Sequence, residues 1–117
     1  MKDPRPAIDD MRRALLRIEE IAVRGRAAFF ADWVLQDAAI RNFEIVGEAV
    51  RRVPDEVRAA HPDVPWADLA GFRDVLIHQY FRVDLAIVWP LMETRAAALR
   101  ADLERVLEAL GGSGPAS

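Results

Sequence analysis

Trp66-Ala-Asp-Leu-Ala-Gly-Phe-Arg-Asp-Val-Leu-Ile-His-Gln-Tyr80 is the stretch on which the reading of this chain turns. Pro65 suits a first helical turn, and the next proline is Pro90, so the spacing predicts a helix over residues 69–80. Arg73, Ile77 and Tyr80 are spaced i, i+4, i+7 and share one stripe of such a helix. Asp74 and His78 form a second i, i+4 pair, rotated by roughly 100–140° from Arg73. Phe72, Val75 and Leu76 supply apolar contacts to bury the helix. Arg73 and His78 are five residues apart and do not stack on one face. A two-fold dimer would bring two arginines and two histidines around one cleft, so each chain would supply half of a site.

These residue types suit RNA cleavage without a metal. The 2′-hydroxyl attacks its own phosphorus, which requires removing one proton, delivering another to the leaving 5′-oxygen, and stabilising a crowded phosphorane. Histidine titrates near neutral pH and serves either proton transfer, for a rate factor of about 10²–10⁴. Arginine stays cationic and forks onto phosphate oxygens as charge develops. Asp74, one turn before His78, would orient the ring and favour the imidazolium. The expected product is a 2′,3′-cyclic phosphate. Arg73 and His78 are therefore the candidates for catalysis, with Asp74 in support, although an Arg-(four residues)-His spacing on its own also occurs by chance; no metal or cofactor is expected.

The segment Gly71-Phe-Arg-Asp-Val-Leu-Ile-His-Gln-Tyr80, containing Arg-(four residues)-His-x-Tyr, resembles the signature of the HEPN superfamily, specifically its HepT-like toxin family. A second block, Gln36-Asp-Ala-Ala-Ile-Arg-Asn-Phe-Glu-Ile-Val-Gly-Glu-Ala49, is similar to that family's second helix. The Val53-Pro54 and His61-Pro-x-x-Pro-Trp66 connection and Phe81-x-Val-Asp-Leu-x-Ile-Val-Trp89 fit its pattern too, so the similarity spans roughly residues 8–110. Gln79, Asp74 and Phe72 stand where the family more often has glycine, asparagine and methionine. The resemblance implies an all-helical homodimer that cleaves RNA, such as tRNA or mRNA, within a type VII-like toxin–antitoxin system. Its implied partner is a minimal nucleotidyltransferase antitoxin that adenylylates the motif tyrosine, here Tyr80. AMP there would set a phosphodiester anion against the face of Arg73 and compete with RNA.

Outward from this stretch the chain reads as helices. Ile8, Met11, Leu15, Ile18 and Ala22 repeat at +3/+4 and predict a first helix ending near Gly25. Residues 29–31 read as a short link. Asp32 is placed to cap a second helix with the stripe Ala39, Phe43, Val46, Val50. Gly47 inside it implies a close helix approach, because glycine there costs about 1 kcal/mol relative to alanine. Pro54 opens a short helix through Ala60, and residues 61–65 form a connector. Asp84 would cap a long last helix with the stripe Leu85, Val88, Met92, Leu99, Leu103, Val106, Leu110. Pro90 should kink that helix or delay its start. The expected architecture is all-α: an antiparallel four-helix bundle with one short extra helix, a single domain over residues 1–110, and a flexible tail over 111–117.

Composition narrows the function. The chain has 117 residues, enough for one core. It has no cysteine, which fits a reducing cytoplasm. The N-terminus lacks the apolar run of a signal peptide, and no segment approaches the roughly 20 apolar residues of a membrane span. A net charge of −3 argues against indiscriminate nucleic-acid binding, so RNA would have to meet a local positive cleft. Arg41, Asn42, Glu44 and Glu48 read first as a surface salt-bridge network on the second helix, and alternatively as a buttress for the catalytic arginine. Trp66 and Trp89 read as core anchors, His61 as a loop residue. Two further functions compete with the nuclease. One is a catalytically silent binding module serving as partner or substrate-binding subunit of the nucleotidyltransferase, and the other is a purely structural helical dimer.

Overall fold

The computed structural model describes residues 2–78 and 84–111, with the side chains of residues 73–78 outside that description. All regular structure among the described residues is helical: α1 (Arg5–Ala22), α2 (Arg26–Ala31), α3 (Trp33–Val50), α4 (Asp55–Ala60), α5 (Trp66–His78), α6 (Leu85–Thr94) and α7 (Ala96–Ala109). The expected tail from residue 112 onward lies outside the described residues.

The apolar stripe of α1 forms the centre of the core. Ile8, Met11, Leu15 and Ile18 are fully buried, each contributing about 1.5–3 kcal/mol relative to an exposed side chain. Around them pack α3 and α7, while α5 packs on the far side of α3. The stripe read for α3 is buried as expected, Ala39, Phe43, Val46 and Val50 together with Gly47. Val88, Met92, Leu99, Leu103 and Val106 are buried from α6 and α7. Trp66 and Trp89 are both core residues.

Ion pairs fix the helix directions. Arg52 just beyond α3 reaches Asp10 in α1 at 2.7 Å, so these helices run antiparallel. Glu19 near the end of α1 accepts from Arg100 near the start of α7, one of the two bonds being 3.0 Å, and Arg100 also donates to Glu104 at 2.9 Å. The hydrogen-bonded Glu19 carboxylate holds the Arg100 guanidinium above its ordinary pKa. Asp63 before α5 lies 3.9 Å from Arg105, and Asp68 lies 4.0 Å from Arg95, so α5 runs opposite to α6 and α7.

Two caps stand where the sequence placed them. Asp32 accepts from the Val34 N–H and Asp84 from the Ala86 N–H, each at 2.9 Å, satisfying donors that a helix start leaves open. Two expectations need correction. Residues 29–31 are not a link but the end of helix α2, which follows Gly25 (φ 94°) and buries Phe29 against Trp89, with ring centroids 5.6 Å apart. Pro90 does not delay α6, which starts at Leu85. The helix continues past it to Thr94, whose hydroxyl donates to the Pro90 carbonyl at 2.6 Å. The break falls at Arg95, with φ −116°, dividing the expected last helix into α6 and α7.

Candidate functional site

Helix α5 is anchored at its start. The Trp66 indole N–H donates to the His61 carbonyl at 3.0 Å, and the Leu69 N–H donates to the Pro65 carbonyl at 3.1 Å. Leu69 is fully buried, and Phe72 meets Phe43 of α3 edge to face, with centroids 5.2 Å apart and planes at 79°. This packing sets the rotation of α5 immediately before Arg73. Arg73, Asp74 and His78 all lie on the helical backbone of α5, whose last residue is His78. Their side chains, and Tyr80 altogether, lie outside the described residues.

On α3 the second group of singled-out residues divides. Arg41 and Glu44 pair at 3.6 Å across one turn, as a surface network would, and Glu48 is exposed. Asn42 turns inward instead. It is 7% exposed, its amide donates to the Ala38 carbonyl at 2.7 Å, and its Oδ1 is buried with no hydrogen-bond partner among the described residues. An unmet buried acceptor costs about 1–3 kcal/mol. Sequence reasoning grouped Asn42 with the surface charges, and only its place beside the buried Phe43 hints otherwise.

Between α3, α5 and α6 lies a cleft of about 340 Å³ that the sequence did not reveal. Phe43, Ala67, Gly71, Phe72, Ile87, Val88 and Leu91 line it, with Asp68 and Arg95 contributing charge. It opens beside the helix that carries Arg73 and His78. Among the described residues no group of three or more His, Asp or Glu side chains is placed to hold a metal ion. Nor is any described helix long and apolar enough to cross a membrane.

The described residues are all-helical, with the Arg-(four residues)-His segment on the single helix α5. The model of the family described as "Ribonuclease HepT-like" matches residues 11–107, and the chain belongs to that family. It is 37% identical over 109 residues to a protein of Caldanaerobacter subterraneus subsp. tengcongensis named "Putative RNase", covering 92% of this chain and 97% of the relative. The "Probable ribonuclease HepT" of Thermococcus cleftensis is 34% identical over 103 residues, 85% of this chain and 91% of that one. A Methanocaldococcus jannaschii protein named "Gamma-glutamylcyclotransferase and putative RNase" is 39% identical over 82 residues, 70% of this chain but 37% of its own length. No solved structure matches. Membership of this family and the names of these relatives support a ribonuclease.

Proposed function

We propose that this protein is a metal-independent endoribonuclease toxin of a type VII-like toxin–antitoxin system, cytoplasmic and acting as a homodimer. The observation that carries the reading is the family match over residues 11–107, which contains the whole Arg73–His78 segment on one continuous helix. The ion-pair directions favour an antiparallel four-helix bundle of α1, α3, α5 and α6–α7, with α2 and α4 as short additions.

In this reading His78 takes the proton from the ribose 2′-hydroxyl as the O2′–P bond forms. Arg73 meets the charge gathering on the phosphorane oxygens. The P–O5′ bond breaks, the leaving oxygen takes a proton from the second imidazole of the dimer, and a 2′,3′-cyclic phosphate and a 5′-hydroxyl result. Asp74 orients His78. Asn42, buried on α3, is a polar support for the site, whereas Arg41, Glu44 and Glu48 remain on the surface of that helix. The antitoxin is a minimal nucleotidyltransferase that attaches AMP to Tyr80.

Expression alone and with a nucleotidyltransferase encoded beside it tests this reading. Growth arrest by the wild type, relief by the partner, and a gain of AMP mass that Tyr80→Phe removes are expected. Equal growth with the wild type and with His78→Ala would contradict the toxin. A stable complex without RNA cleavage would identify a silent binding subunit instead.

A further inference from the structure

Gly71 stands in the interior of α5, where glycine costs about 1 kcal/mol relative to alanine. A glycine kept inside a helix is commonly explained by a neighbour that a Cβ would strike. None is present among the described residues, because a Cβ built at Gly71 meets none of their atoms within 4 Å beyond its chain neighbours and its own helical backbone. The bare backbone instead faces the cleft between α3, α5 and α6. Open space in front of a helix-interior glycine leaves room for a ligand to approach the backbone closely.

The walls indicate what kind of ligand. The volume of about 340 Å³ falls at the lower end of the small-molecule range. Its sides are apolar and partly aromatic, from Phe43, Phe72, Val88 and Leu91, and Ile87 at the edge is 48% exposed. Asp68 and Arg95 supply one charge of each sign. They stand 4.0 Å apart with side chains 66% and 43% exposed, too loose to satisfy each other's hydrogen bonds.

The geometry points to a nucleobase site: the cleft takes one base of the bound RNA, guanine by preference. A flat ring edges in over Gly71 between apolar walls. The two Asp68 oxygens accept from the adjacent N1–H and 2-amino groups of guanine, a pair of donors that uracil does not offer. Arg95 meets the phosphate of the same nucleotide. Position 78 follows Gly71 by seven residues on the same helix, about 10.5 Å along its axis. The base is therefore a near neighbour of the phosphate to be cut. This rests on the ribonuclease reading for its biological substrate, but not for its test.

Amide shifts of the isotope-labelled protein, titrated with guanosine 3′-monophosphate and with uridine 3′-monophosphate, read the cleft without turnover. The Gly71 amide should move with the guanine nucleotide, with uridine binding about 10-fold or more weaker. Asp68→Asn should remove that preference. Gly71→Leu, a good helix former projecting into open space, should abolish binding while the melting temperature holds, and Gly71→Ala should weaken it. Equal binding of both nucleotides, or full binding by folded Gly71→Leu, would overturn the assignment. So would a Gly71→Leu variant whose only change is dissociation of a dimer, because a second copy would then fill the cleft. Lack of RNA cleavage with guanine binding intact would defeat the ribonuclease reading and leave the base site standing.

Discussion

The two flanks of α3 are built differently. On one, α3 and α7 close over α1, whose Ile8, Met11, Leu15 and Ile18 are fully buried and whose Asp10 and Glu19 are tied to neighbouring helices. On the other, α5 and α6 leave a cleft, a glycine with no described neighbour in front of it, and a half-exposed Ile87. The closed flank supplies the stability that lets the open flank carry incomplete packing. Arg73 and His78 lie on the helix of the open flank, where a protein can give up packing for chemistry.

Substitutions on each flank can break this contrast. Leu15→Ala should cost about 2–5 kcal/mol in denaturant unfolding, while Leu91→Ala at the cleft should cost well under half as much. Equal losses would mean that the cleft is filled. Glu19→Gln, which disrupts the half-buried pair with Arg100, should cost about 1–3 kcal/mol, against under about 1 kcal/mol for Arg52→Gln at the exposed pair with Asp10. The smallest effect has the opposite sign. Gly71→Ala should raise stability by up to about 1 kcal/mol, because the new methyl group meets nothing, and a loss would show that the cleft is closed in solution.

Much of the closed flank was legible in the sequence because regular periodicity and capping chemistry speak locally. The stripe of α1 and the Asp32 and Asp84 caps needed no knowledge of distant residues. Helix α2 was missed because six residues hold too little periodicity, and Phe29 is fixed by Trp89 from sixty residues away. The chain break at Arg95 escaped notice because Pro90 looked like the stronger breaker. At the site, the placement of Arg73 and His78 on one helix was legible from their spacing. The inward turn of Asn42 and the open space at Gly71 depend on how three helices meet, which no local pattern encodes.

The central claim is that Arg73 and His78 cut RNA without a metal. The direct measurement is cleavage of a synthetic RNA by the purified protein in excess chelator, with the new ends identified by mass. The account predicts 2′,3′-cyclic phosphate and 5′-hydroxyl ends from the wild type, and at least about 100-fold slower cleavage by His78→Ala and Arg73→Ala at unchanged melting temperature. Cleavage that vanishes with the chelator, or that survives both substitutions, would contradict it.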